Sequence, residues 1–176
     1  MQPQRKITLI TLAIVVTLAI TSILSPWWIL HRMRSAIESR DYNAFSSHVD
    51  YPSLHASFKS QMLASTKKDS ESLLGALSEG ILGTLTGTAL DVVLGAPGVI
   101  EMINQGTPRI TRAVISSAIT KVPSAEAPPA DLKATYRGWN KVAFRGAGAA
   151  EEEGSFILIR TGPWSWKLAE VELPES

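Results

Sequence analysis

Between Lys6 and His31 the chain carries no charged side chain. The stretch from Ile7 to Leu24 is apolar apart from four threonines and one serine. Those hydroxyls can bond back to helix carbonyls. A helix built from this run has no polar face over five turns, so it cannot lie half-buried on a soluble core. Crossing a hydrocarbon layer roughly 30 Å thick takes about 20 such residues, and the uncharged stretch through Leu30 supplies them. Arg5 and Lys6 flank it on one side. Trp27 and Trp28 stand on the other, where aromatic residues mark a membrane–water interface. Pro26 predicts a kink or a restart of the helix.

A cleaved signal sequence would have a shorter apolar core followed by small residues. Ile23 and Leu24 stand where those would be, so the expectation is an uncleaved, single-pass anchor. Its positive flanks are near parity: Arg5 and Lys6 on one side, Arg32, Arg34 and Arg40 on the other. A short basic head before a first apolar segment stays in the cytoplasm. The expected location is therefore a bacterial inner membrane, with the bulk of the chain in the periplasm. A chain starting near Arg32 is expected to be soluble.

The remaining chemistry is sparse. Lys and Arg number 17 against 16 Asp and Glu, with no basic surplus for a nucleic-acid partner. Apolar residues at 45% against 19% charged exclude a wholly disordered chain. The absence of cysteine excludes disulfides, a thiol nucleophile and Cys-ligated metal. Three histidines without metal-ligand spacing imply no cofactor.

Past the anchor (1–30), helical spacing dominates residues 31–122. Ile29, Leu30, Met33 and Ile37 recur on one face. Asp41 and Asp50 read as N-caps, and Leu54, Phe58 and Met62 repeat every four residues. Leu74, Leu77, Ile81 and Leu85 form an apolar stripe with Gly83 and Gly87 spaced for close packing. Pro97 suits a helix start and Gly106 a left-handed C-cap. Thr107-Pro108 reads as the start of a further helix. Residues 123–131 are Pro- and Ala-rich and read as a linker. Over 132–174 the period changes to two: Leu132 to Tyr136, then Val142 and Phe144, Phe156 to Arg160, and Trp164 to Leu173. The predicted class is α+β: a transmembrane helix, several short packed helices, and an antiparallel meander of three or four strands, with 31–174 as one domain.

Several segments in order carry a resemblance. After Trp27-Trp28 come Asp41…Phe45…Val49-Asp50-Tyr51-Pro52-Ser53-Leu54…Ser57. Asp91-Val92-Val93…Pro97-Gly98-Val99 follows, then Tyr136-Arg137-Gly138-Trp139…Phe144. The end carries Phe156-Ile157-Leu158…Trp164-Ser165-Trp166-Lys167-Leu168…Val171…Leu173-Pro174. This pattern resembles a family of small, N-terminally anchored proteobacterial envelope proteins known only as a domain of unknown function. The element order is similar, more loosely, to cystatin-like and nuclear-transport-factor-like cones. Neither resemblance implies a reaction or a catalytic residue.

The candidate residues favour plain roles. His48 and His55 flank a turn and read as surface or cap residues. Asp91, in an apolar segment, would need a cation such as Arg109 or Arg112 if buried. Glu151 to Glu153 read as a solvated loop. Trp139, Trp164 and Trp166 form either sheet core or an interaction face. Trp164 and Trp166 are expected on the same face of the last strand, with Trp166 the more buried. The function expected is that of a non-catalytic interaction or accessory subunit of a membrane complex, with the bilayer and another membrane or envelope protein as partners. A small-ligand-binding or enzymatic cone is one alternative. Membrane remodelling through Leu73 to Ile103 is another.

Overall fold

The structure is a computed structural model that describes residues 3–68, 91–123 and 131–173, with side chains from Ile7 to Gln61 in the first stretch. The stripe from Leu74 to Leu85, the Gly83–Gly87 pair, the side chain of Met62 and most of the 123–131 segment lie outside the described residues.

Helix α1 runs from Pro3 to Glu38 without a break at Pro26. It is about 54 Å long at 1.5 Å per residue. The helix does not restart at Pro26, and α1 crosses position 30 as one continuous helix. Its first half is bare: Ile7, Leu12, Val15 and Leu18 are all exposed. Its second half carries a buried stripe, Ser25, Ile29, Leu30, Met33 and Ala36, at the three- and four-residue spacing of a docked helix face.

Arg40 then takes a left-handed turn at φ 57°. Asp41 caps α2 (Tyr42–Ser47) by accepting from the Ala44 N–H at 2.9 Å. Asp50 does the same for α3 (Tyr51–Lys68), accepting from the Ser53 N–H at 3.3 Å and from the Ser53 hydroxyl at 3.0 Å. Helix α4 (Ala96–Gln105) begins with Pro97 in its first turn and ends at Gly106, whose φ of 79° is the left-handed cap expected of a glycine there. Helix α5 (Arg112–Thr120) starts four residues after Pro108. Its cap is Thr111, whose hydroxyl accepts from the Val114 N–H at 3.3 Å.

The chain ends in four antiparallel strands, β1 (Leu132–Tyr136), β2 (Lys141–Gly146), β3 (Ser155–Arg160) and β4 (Trp166–Glu172), paired in sequence order. The layout is α+β. The inner face of the sheet joins Phe144, Phe156, Leu158, Trp166 and Leu168 to Met33, Phe45, Leu54, Phe58 and Ile100 in one core. Phe144 and Phe156 stack at 5.3 Å between centroids. The edge of β4 is not left open. Residues 48–50 pair with Leu168 in parallel fashion, the Leu168 N–H donating to the His48 carbonyl and the Asp50 N–H to the Leu168 carbonyl, both at 2.8 Å. Gln61 on α3 accepts from the Leu173 N–H at 2.8 Å and donates to the Val171 carbonyl. Covering an edge in this way removes the free donors and acceptors that recruit foreign strands.

One expectation for the last strand needs correction. Trp164 is not in β4; it lies in the turn before it, and β4 begins at Trp166. The cause is local: the Thr161 and Gly162 N–H groups both donate to the Ser165 carbonyl, at 2.8 and 3.2 Å, which lengthens the turn through Ser165. A bulge also interrupts β4, since Ile157 pairs with Glu170 while Leu158 pairs with Leu168. The extra residue switches the buried positions from Trp166 and Leu168 to Val171.

The helix–sheet junction as candidate functional site

Proline has no backbone N–H, so Pro26 leaves the Ser22 carbonyl without its donor four residues on. Two side chains take that place. The Ser25 hydroxyl donates to the Ser22 carbonyl at 2.6 Å, and an Arg160 Nη2 approaches it at 3.5 Å. The Ser25 hydroxyl in turn accepts from Trp166 Nε1 at 2.7 Å in the core. Arg160 Nη1 also donates to the Ser22 hydroxyl at 2.7 Å and to the Pro163 carbonyl at 3.2 Å. The Ser22 hydroxyl donates to the Pro163 carbonyl at 2.6 Å. One helical residue further, the Tyr136 hydroxyl donates to the Ile23 carbonyl at 2.6 Å. Trp164 Nε1 donates to the Thr21 hydroxyl at 3.2 Å.

The gap left by one proline is thus the place where the sheet grips the apolar helix. Every group in the grip comes from the same end of the sheet. In an antiparallel meander the β1–β2 and β3–β4 turns share an end, and these two turns carry Trp139 and Trp164. Arg160 lies with its guanidinium carbon 4.5 Å from the Trp166 ring centre and 5.8 Å from that of Trp139, a cation over two aromatic faces. No carboxylate lies within ion-pair distance of it among the described residues. Tyr136 packs against Trp27 at 5.6 Å and edge-on to Trp166 at 6.2 Å. Burial raises the Tyr136 hydroxyl above its ordinary pKa, while the Arg160 charge pulls the other way. An open cleft of about 470 Å³ lies beside this contact, lined by Ala19, Ser22, Ile23, Tyr136, Gly138, Trp139 and Arg160.

The three tryptophans of the expected face separate here. Trp166 is 1% exposed and belongs to the core, so it contributes nothing to a surface. Trp139 at 78% and Trp164 at 49% are open to the surroundings. Trp27 and Trp28 are both exposed on α1, with Arg32 lying 5.3 Å over the Trp28 ring. The junction residues Ser22, Ser25, Tyr136 and Arg160 were not expected from the sequence as a set. The signal for them is two serines three residues apart, directly before a proline, inside an apolar run.

The other candidates fall into separate places. His48 is the C-cap of α2. Burial lowers its pKa from the ordinary 6.5, with the Arg32 and Lys167 charges adding to the effect. His55 pairs through Nδ1 with Asp91 at 2.9 Å, and Asp91 is exposed. Exposed, Asp91 does not meet the condition of burial under which Arg109 or Arg112 was expected as its partner, and Arg109 reaches Glu153, at 3.7 Å. Glu151 to Glu153 form a short 3-10 turn tied down by Arg137 and Arg109. The two histidines have different neighbours and do not converge on one carboxylate. No group of three or more His, Asp or Glu is placed to hold a metal ion among the described residues.

A family model described as protein of unknown function (DUF2939) matches residues 15–102, half of the chain. The chain belongs to this family. The match to DUF2939 takes in the second half of the apolar run, Trp27 and Trp28, and the chain into α4. The sheet, with its motifs from Tyr136 onward, lies beyond it. No curated protein and no solved structure matches the chain. Among the described residues of this DUF2939 member, one helix, α1, is long and apolar enough to cross a membrane.

Proposed function

We propose that this DUF2939 protein is a membrane-anchored, non-catalytic accessory module. It spans a bacterial inner membrane once, carries its domain on the periplasmic side, and binds a second membrane or envelope protein. The observation that carries this reading is the form of α1. A bare apolar rod from Ile7 to Leu18 leaves the domain, while the same helix is locked to the sheet from Thr21 onward. A secreted soluble protein has no use for that arrangement, because the rod would stand in water at a large hydrophobic cost.

An interaction role also draws on α5. Ile115 and Ile119, one turn apart on this helix, are exposed at 40 and 68%, and Val122, just past its left-handed C-cap, at 54%; exposed apolar side chains of this kind are what a partner helix covers. The test is purification of the full-length protein from native membranes in mild detergent, with identification of what travels with it. A reproducible membrane-protein partner that is lost in Ile119→Glu supports the reading. Recovery of monomer alone overturns it. Labelling from the periplasmic side of intact cells, at a cysteine placed at Gly148, tests the orientation.

A further inference from the structure

Helix geometry sets how high the domain rides. Thr21 lies fifteen residues after Lys6, and at 1.5 Å per residue that is about 22 Å along the axis. The hydrocarbon layer is roughly 30 Å thick, and tilt shortens the projection further. With the level of Lys6 at the far headgroups, Trp27 comes about 32 Å along the axis and reaches the near boundary. Thr21 and Ser22 do not. Yet these are the residues the sheet holds: Trp164 bonds Thr21, and Arg160 bonds Ser22. The turn end of the sheet is attached to α1 below the level of the near headgroups.

We propose that this end of the sheet is a membrane-seated surface, with Trp139 and Trp164 immersed among the phospholipids of the bilayer that α1 crosses. This rests on the reading of α1 as a membrane span. The occupant is a phospholipid on three grounds. The surface is continuous with the bare face of the span at Ala19 and Ile23, which line the cleft. Its exposed large apolar side chains are Trp139 and Trp164, and the amphipathic rings of tryptophan settle at the headgroup level. Of the two arginines at this end, Arg137 is paired with Glu151 and Glu172, whereas Arg160 has no carboxylate within ion-pair distance among the described residues, which suits a lipid phosphate. The opposite end of the sheet, where Gly148 follows β2, stands away from the membrane.

The chain lacks cysteine, so single spin labels can be placed cleanly. A side chain at Gly138, next to Trp139, meets only Asn140 at 3.9 Å, and one at Gly148 meets nothing within 4 Å. Full-length protein carrying Gly138→Cys, Gly148→Cys or Val15→Cys is reconstituted in phosphatidylcholine vesicles with one quarter phosphatidylglycerol. Collisions with oxygen are compared with collisions with a water-soluble nickel chelate. The ratio at position 138 should exceed that at 148 several-fold and approach that at 15. In a Trp139→Ser/Trp164→Ser background the ratio at 138 should fall towards that at 148. Equal ratios at 138 and 148, with a lipid-facing value at 15, would overturn the seating alone. A water-like value at 15 would overturn the span as well.

Discussion

Trp166 and Ser25 meet through a single hydrogen bond inside the core, and the two partners answer for different parts of the stability. Trp166 is almost wholly buried, and truncating a buried Trp to Ala costs about 3–5 kcal/mol. Trp166→Ala should therefore unfold most of the population or lower the denaturant midpoint steeply. Ser25→Ala removes little volume but strands the indole N–H, at about 1–3 kcal/mol. A double-mutant cycle in one detergent should show the two losses to be strongly non-additive. His48 gives a second residue-scale test. Its folded pKa is depressed by burial, so the unfolded chain binds the proton first. Its contribution is intact above the ordinary 6.5 and is lost as pH falls through that value towards the lower folded one. His48→Gln should flatten the fall in melting temperature between about pH 7 and 5. The burial of Trp166 was legible in the sequence because alternation with Leu168 puts both on the core face. The position of Trp164 was not, since it depends on the Ser165 carbonyl closing the turn. The Arg160 contacts were equally hidden, because they join residues 138 positions apart.

At the scale of elements, caps and close approaches decide the boundaries. Gly98 stands in the first turn of α4 where a Cβ would lie 1.9 Å from the Val93 carbonyl oxygen. Backbone cannot yield there as a flexible side chain would. Gly98→Ala should destabilise by at least about 1–3 kcal/mol, whereas Gly148→Ala, with open space around it, should stay within about 0.5 kcal/mol of the parent. Chemical denaturation of both variants checks the contrast. The Asp41, Asp50 and Gly106 caps were readable because each needs only a local residue type. The start of α5 was not. Thr107-Pro108 has the form of a helix start, but Thr111 holds the cap because its hydroxyl also exchanges hydrogen bonds with Gln105, at 3.0 and 3.2 Å. The buried face of α1 could not be read above Ile29 either. An all-apolar stretch has no polar side to show which face docks.

For the whole molecule, the placement of a truncation becomes a sharp test. Ile29, Leu30 and Ser25 belong to the folded core although they lie within or beside the uncharged run. A chain beginning at Arg32 loses them, and each buried aliphatic side chain contributes about 1.5–3 kcal/mol. Its melting temperature should fall sharply against a chain beginning at Ala19 in the same detergent, whether or not the shorter chain is soluble. Equal melting of the two would mean that α1 beyond Ala19 does not hold the domain. The joint between span and sheet has a further consequence. Six hydrogen bonds, of 2.6 to 3.5 Å, link residues 21 to 25 of α1 to the turn end of the sheet. No slack intervenes between rod and domain, as it would on a stalk. The protein therefore has a fixed reach, and every copy holds its surfaces at one height. In the single-pass arrangement proposed above, whatever it meets must either share the plane of the membrane or come down to it, and encounters between neighbours reduce to sliding and spinning in two dimensions.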